Sequence, residues 1–193
     1  MIAKGAGNWI VIPLVMGVVS LILSMQLASY VVYILANVFF LASVLVMILF
    51  RDPPRNTGRG VVSPADGKVV YVNTNRNSVS ISTALHKVHV IRAPLGGKVL
   101  EIMESTQDRR AIETTIATEI GLIKVRQNPR LLPRKAIPYV GRRQRVAKGQ
   151  RIGIVVPTGV VSVELPAKVN ITVSEGQKVL AGETSVGRVL GAV

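Results

Sequence analysis

The hydrophobic pattern divides the chain into a long apolar N-terminal run and a remainder in which short apolar stretches alternate with polar turns. No charged residue occurs between Lys4 and Arg51, and most of those 46 residues are Val, Leu, Ile, Ala, Met and Phe. A membrane-spanning helix needs about 20 apolar residues, so the run is too long for one span and fits two. We predict spans near Trp9 to Met25 and near Tyr30 to Phe50, separated by a polar break around Gln26.

A cleaved signal peptide is the competing interpretation of the same run. The apolar core of a signal peptide is only about 7 to 15 residues long, and no second charged flank separates the two halves of this run. We therefore interpret it as a transmembrane helical hairpin.

After the hairpin, the pattern is typical of a mainly-β domain. The connection from Arg51 to Gly58 contains two prolines and two arginine side chains before its glycine, and the prolines end the second helix. Runs of β-branched residues separated by turn residues are then predicted as strands. The predicted strands are Gly60 to Val62, Lys68 to Asn73, Ser78 to Thr83, Val88 to Arg92, Gly97 to Met103, Ile112 to Thr118, Gly121 to Arg126, Arg151 to Val156, Val160 to Leu165, Ala167 to Val173 and Val186 to Leu190.

The regular spacing of these strands predicts a β-sandwich or barrel. Two strand, turn, strand segments, beginning at Val62 and at Leu165, are similar to the barrel-sandwich hybrid of biotinyl and lipoyl domains. For Arg134 to Val140 we consider a short helix, whose length the neighbouring prolines limit. The predicted fold is two transmembrane helices, over residues 1–50, followed by a mainly-β, barrel-sandwich-like domain with few short helices, over residues 51–193.

The charges lie almost entirely in the β-rich part. All ten acidic residues and 23 of the 24 basic residues occur from Arg51 onward, and there is no cysteine. The absence of cysteine excludes disulfides, thiolate metal sites and a cysteine nucleophile. Because the two spans are paired, Lys4 and the basic domain fall on the same side, which the positive-inside rule assigns to the cytoplasm. We expect a cell-membrane protein whose β-rich domain is cytoplasmic.

A basic stretch from Ile120 to Val163 holds ten Lys and Arg residues and no acidic residue. Such a stretch binds polyanions, and beside a membrane its partner is the anionic lipid surface. Nucleic acid is disfavoured because Tyr71 and Tyr139 are the only aromatic residues after Phe50, so bases have little to stack on. The candidate residues for lipid headgroups are Arg126, Arg130, Arg134, Arg142 and Arg143, although solvated surface is the alternative interpretation of each.

Both histidines lie in one short segment, as His86 and His89. Residues three apart on a strand point to opposite faces, so the two rings would not share a metal ion, and we predict no metal site. A surface histidine beside a core histidine explains the pair. The sharper hypothesis is that one ring acts as a base near neutral pH. Asp66 precedes a glycine, which a plain turn explains, and its functional alternative is a carboxylate that orients an imidazole.

Several motifs in the right order resemble the phosphatidylserine decarboxylases, and the N-terminal hairpin is similar to that of the family's short form. The motifs are Phe50-Arg-Asp-Pro-Pro-Arg55, Ser63-Pro-Ala-Asp-Gly-Lys-Val69, His86-Lys-Val-His-Val90 with Arg92-Ala-Pro94, Lys148-Gly-Gln-Arg-Ile-Gly153 and Gly176-Gln-Lys-Val-Leu-Ala-Gly-Glu-Thr184. Each motif is weak alone, but their order over nearly the whole chain makes chance an unconvincing explanation.

The resemblance implies an enzyme of phospholipid biosynthesis that removes the carboxylate of a serine phospholipid, or of its archaeal ether analogue, and leaves an ethanolamine phospholipid. It also implies self-processing, in which a serine attacks the preceding carbonyl and becomes a pyruvoyl group that forms a Schiff base with the substrate amine. Asp66 and His89 match the family's carboxylate and histidine that activate this serine. His86 matches a second histidine near the substrate.

The chain departs from the family at the self-cleavage position. Where the family has a Gly-Ser pair, Thr158 stands in place of the glycine and Gly159 in place of the serine. Glycine has no hydroxyl group, so the pyruvoyl cofactor cannot form by the family's usual route. Thr158 could attack the Pro157 carbonyl, or Ser162 could act from three positions on, but each needs the strand register to move, and a one-residue slip turns every side chain to the other face.

Three functional hypotheses therefore stand. The chain is a membrane-bound serine-phospholipid decarboxylase, a non-catalytic homologue that binds anionic lipid or a partner protein through its basic face, or a barrel-sandwich adaptor in a transport or secretion assembly. Asp66, His86 and His89 favour the first hypothesis, and Gly159 favours the second. The oligomeric state, including a homo-oligomer, is left open.

Overall fold

The structure is a computed structural model that describes residues 7–104, 110–130 and 135–190. The chain divides into two compact units, Met1–Pro53 and Pro54–Val193. The first unit is helical and the second is built from strands. The predicted fold class, two apolar helices followed by a mainly-β domain, is confirmed.

The helical unit is an antiparallel hairpin. Helix α1 covers Gly7–Leu27 and helix α2 covers Tyr30–Leu49. Both helices are long and apolar enough to cross a membrane, since about 20 residues at 1.5 Å per residue match the hydrocarbon thickness. The chain reverses at Ala28, whose φ of 46° lies in the left-handed region.

Small residues line the contact between the two helices. A Cβ at Gly17 would lie 3.3 Å from the ring of Phe40, so glycine permits this close approach. The Ser43 hydroxyl donates a hydrogen bond to the Ile10 carbonyl, with an oxygen-to-oxygen distance of 3.2 Å. Small residues and polar contacts of this kind hold apolar helices together where no hydrophobic driving force exists between them.

The second unit contains fourteen strands among its described residues. They are β1 Val61–Val62, β2 Gly67–Asn73, β3 Ser78–Thr83, β4 Val90–Arg92, β5 Gly97–Glu104, β6 Ile112–Thr118, β7 Gly121–Pro129, β8 Lys135–Pro138, β9 Arg145–Val146, β10 Arg151–Val156, β11 Gly159–Glu164, β12 Val169–Ile171, β13 Lys178–Val179 and β14 Ser185–Val189.

These strands form three antiparallel sheets. The largest has eight strands in the order β13-β2-β3-β11-β7-β6-β5-β9, and the two smaller sheets have the orders β1-β14-β12 and β4-β10-β8. Strand β11 lies inside the large sheet and pairs along its whole length with β3 on one side and β7 on the other. Residues from all three sheets contribute to one buried hydrophobic cluster.

Alternation of buried and exposed side chains explains which face of the large sheet lines the core. Along β7, Ile123, Val125 and Gln127 are buried, whereas Leu122 and Lys124 are exposed. This period of two is the expected signature of a sheet with one buried face. We call the opposite, polar face of the eight-stranded sheet the outer face.

The short helix considered for Arg134 to Val140 is wrong. Within the described residues, Lys135–Pro138 form strand β8, which pairs with β10 from Lys135 opposite Val156 to Pro138 opposite Gly153. Pairing with β10 gives hydrogen-bond partners to backbone N–H and C=O groups that would be unpaired in a helix of this length. Strand β8 is at the edge of its sheet, where proline is tolerated because its missing N–H is not needed.

Candidate functional site

Asp66 is a buried carboxylate that joins three separate segments of the chain. It lies in the turn before β2 and is 3% exposed. Its Oδ1 accepts a hydrogen bond from the Ala181 amide at 2.7 Å, and its Oδ2 accepts one from Arg55 Nη2 at 2.8 Å. Arg55 Nη1 is also 3.3 Å from Glu183 Oε2. The carboxylate therefore ties the N-terminal segment of the β-rich unit to its C-terminal turn.

Both oxygens of Asp66 accept hydrogen bonds, one from the guanidinium group of Arg55 and one from the Ala181 amide. Sequence reasoning singled out Asp66 but missed Arg55 as its partner. The available signal was the second arginine of the Arg-Asp-Pro-Pro-Arg motif, which lies eleven residues before Asp66, within reach of an extended connection.

His89 lies beside the end of β10. The residue is buried, at 4% exposure, immediately before β4. Its carbonyl accepts a hydrogen bond from the Val155 amide at 3.0 Å, which continues the register in which Val90 pairs with Ile154. His86 is instead exposed, in the turn that precedes this segment. The structure thus places one histidine inside the fold, next to the strand that leads to residues 157–159, and the other at the surface.

Gly159 is enclosed on all sides. It is the first residue of β11, opposite Thr83 of β3 and Pro129 of β7. A Cβ at this position would lie 2.6 Å from the Asn128 carbonyl oxygen and 2.7 Å from Val155 Cγ1. Real Cβ atoms do not make contacts this short, so any larger residue would require the Asn128 backbone or the Val155 side chain to shift.

Two buried polar side chains lie around the same turn. Thr83, opposite Gly159, is 3% exposed, and Gln127, two residues before Pro129, is completely buried. Within the part of the chain that the structure describes, the Thr83 hydroxyl and both amide atoms of Gln127 have no hydrogen-bond partner. Buried polar groups without partners are rare in folded proteins and mark functional or hydrated places. Sequence reasoning missed both residues, although each is a polar residue at an inward position of an alternating strand.

Ser162 lies on the outer face of the eight-stranded sheet. Its hydroxyl is hydrogen-bonded to the Ser80 hydroxyl at 2.9 Å, while its neighbours Val161 and Val163 are buried in the core. Thr158, just before β11, is half-buried, and its carbonyl accepts a hydrogen bond from the Arg130 amide at 2.9 Å. Of the two predicted substitutes for the serine, only Thr158 is therefore close to the enclosed turn.

The described basic residues among the five predicted lie on different elements of the β-rich unit. Arg126 lies on the outer face of β7, opposite Ser162 and Glu113, and Arg130 is exposed just after the same strand. Arg142 and Arg143 are exposed in the turn before β9, near the edge of the sheet. The fifth predicted residue, Arg134, lies outside the described residues.

We expect Asp66→Asn to lower the free energy of unfolding by about 3 kcal/mol, because it removes the nearer and more buried of the two carboxylates that pair with Arg55. Thermal or denaturant unfolding of the full chain in detergent measures this change. The matched control is Arg142→Gln, which breaks an exposed pair with Glu101 at 3.5 Å and should cost less than about 1 kcal/mol. Equal effects of the two variants would contradict the structural role given to Asp66.

Comparison with known proteins identifies the family. The model of the family described as phosphatidylserine decarboxylase matches residues 43–187. An Archaeoglobus fulgidus protein, whose name describes it provisionally as an archaetidylserine decarboxylase proenzyme, is 34% identical over 87% of this chain and 91% of its own length. A Methanosarcina mazei protein with the same description is 31% identical over 98% of this chain and 97% of its own length.

A bacterial relative also matches most of this chain. A Streptomyces coelicolor protein named phosphatidylserine decarboxylase proenzyme is 31% identical over 97% of this chain and 92% of its own length. No solved structure matches the chain. Because the family model covers most of the chain and the relatives match almost end to end, the chain belongs to the phosphatidylserine decarboxylase family.

Proposed function

We propose that this chain is a membrane-anchored member of the phosphatidylserine decarboxylase family that acts in phospholipid biosynthesis as a single, unprocessed chain. In this proposal it binds a serine phospholipid, or the archaeal ether analogue, and does not form a pyruvoyl group. The observation that carries the proposal is the enclosed position of Gly159 at the start of β11, where the family has its self-cleaving serine.

The residues present do not fit the pyruvoyl group. That group forms from a residue with a side-chain hydroxyl, which Gly159 lacks. A Cβ at position 159 would also lie 2.6 Å from the Asn128 carbonyl oxygen, which is backbone and has no rotamer to change. The missing hydroxyl and the short Cβ distance both support an unprocessed chain.

A shift of register is an expensive alternative. Strand β11 is paired with β3 and with β7 from Gly159 to Glu164, so a one-residue slip would break two ladders. It would also carry Val161 and Val163 from the core to the outer face. Ser162 is a poor substitute because its hydroxyl already points to that outer face, where it bonds to Ser80.

A second candidate function is decarboxylation after cleavage at Thr158. The observation that favours it is the position of His89, a buried imidazole whose backbone bonds to Val155, three residues before Thr158. Thr158 carries a hydroxyl, as the family's serine does. The relatives are named proenzymes of archaetidylserine or phosphatidylserine decarboxylases, which supports a serine phospholipid as the ligand under either candidate function.

We expect the purified full chain to give one species near 20.7 kDa in intact-mass measurement. The physical reason is that residue 159 is glycine and carries no hydroxyl to attack the carbonyl before it. A large fragment together with a small C-terminal fragment, blocked at Thr158 or Ser162, would contradict the proposal and support the second candidate.

We expect Gly159→Ser to remain uncleaved and to lower the free energy of unfolding by about 1 to 3 kcal/mol, the usual cost of overpacking. Unfolding and intact mass are measured on the same full-chain sample. The control is Gly141→Ser, at a glycine whose added Cβ meets no atom within 4 Å, where stability should change by less than about 0.5 kcal/mol. Normal stability together with cleavage before residue 159 would overturn the steric explanation.

We further propose that the β-rich unit is cytoplasmic, as the paired spans and the excess of basic residues suggest. Protease added to sealed inside-out membrane vesicles should then digest this unit, and protease added to right-side-out vesicles should not. The control is the same pair of digestions after detergent permeabilisation, in which both preparations should be cleaved. Digestion only in right-side-out vesicles would reverse the orientation.

A further inference from the structure

A cluster of exposed cations surrounds a groove at the edge of the eight-stranded sheet. The groove has a volume of about 550 Å³ and is lined by Lys98 and Leu100 of β5 and by Arg142 and Arg143 of the turn before β9. Arg145 of β9 lies directly opposite Lys98 in the strand register. We call Lys98, Arg142, Arg143 and Arg145 the edge cluster.

The edge cluster has little compensating negative charge. Arg142 is paired with Glu101 at 3.5 Å, whereas Lys98, Arg143 and Arg145 form no ion pair with any residue that the structure describes. Like charges directly opposite each other on neighbouring strands destabilise a sheet, and Lys98 and Arg145 are such a pair. An arrangement of this kind is stabilised when an anion lies between the cations.

The backbone conformation of the turn is a second observation that favours a binding site. Arg143 has a φ of 66°, a left-handed conformation that is unfavourable for residues other than glycine, asparagine and aspartate. Its amide donates a hydrogen bond to the Val99 carbonyl at 2.7 Å, which fixes the turn against β5. An arginine thus occupies a position where glycine would be more stable. Strained positions of this kind concentrate at ligand-binding sites.

Exposed leucines lie next to the edge cluster. Leu100 is 43% exposed and Leu122 is 51% exposed. Leu122 is opposite Ala117, and Ala117 is opposite Lys98, so these side chains share one row on the outer face. Apolar side chains beside lysine and arginine suit the boundary between lipid headgroups and acyl chains. Nucleic acid is a weaker match, because no aromatic residue lines the groove.

We propose that the edge cluster binds the phosphodiester headgroup of an anionic phospholipid, with Leu100 and Leu122 in contact with the apolar boundary of the bilayer. The inference deepens the proposed function, since it rests on the membrane attachment of the chain, but it does not depend on whether the chain is processed. Pro129, which pairs with Gly159, lies seven residues after Leu122 on β7. Seven residues of strand span about 23 Å. The edge cluster is therefore a separate site from the enclosed turn.

The test uses the full chain in nanodiscs of neutral phosphatidylcholine and in nanodiscs in which a third of the lipid is phosphatidylglycerol. Hydrogen–deuterium exchange is followed in the peptide that covers residues 141–146. We expect slower exchange in the anionic discs, because a bound headgroup holds the turn in place. In Lys98→Gln/Arg142→Gln, which removes two exposed cations, most of this protection should be lost in discs that contain a third of phosphatidylglycerol.

The matched control variant is Lys168→Gln/Arg188→Gln, which removes two exposed cations, one in the turn before β12 and one in β14, and should retain the protection. Equal loss of protection in both variants would indicate general attraction to the surface charge and overturn the proposal. So would wild-type exchange that is the same in both kinds of disc. Inorganic phosphate or a single-stranded oligonucleotide that protects the turn in neutral discs would assign the site to another anion and also overturn it. Intact mass, measured on the same samples, reports separately on the proposed function.

Discussion

The pairing of β11 on both sides is the constraint on which the rest of the β-rich unit depends. Because β3 and β7 fix the register of β11 from Gly159 to Glu164, each side chain of the strand is assigned to the core or to the outer face. Val161 and Val163 enter the core, and Ser162 bonds to Ser80 outside it. The same register brings Gly159 against Asn128 and Val155. A side chain at position 159 would therefore require its neighbours to shift, as a consequence of how the central strands pack.

The buried carboxylate of Asp66, which belongs to one of the family motifs, stabilises the fold. Its two oxygens are taken by Arg55 and by the Ala181 amide, so the charge stabilises the joining of distant segments. A buried ion pair is costly to break, because removal of one partner leaves the other charged and desolvated. Asp66 therefore has a structural role, which stands beside the catalytic role that the sequence predicts for it.

The basic residues differ in their positions on the sheet and in what surrounds them. Of the ten cations in the basic run, Lys124 and Arg126 lie on β7, whereas Arg142 and Arg143 lie in the turn before β9. At that turn, cations line a groove, face each other across two strands and include a residue with a left-handed backbone. The electrostatic part of the proposed function therefore rests on the edge cluster, and Lys98, which is outside the basic run, belongs to it.

The sequence by itself determined the features that follow from local pattern: the two apolar helices, the mainly-β class, the bounds of strands such as Ser78–Thr83, and the family, whose motifs retain their order. Hydrophobic period and turn residues are local, so they can be read without a structure. The partner of Asp66, the enclosure of Gly159, the buried amide of Gln127 and the strand at Lys135–Pro138 were decided by tertiary structure. Each depends on contacts between residues far apart in the chain, and antiparallel pairing across such distances leaves no signal in the pattern of either strand alone.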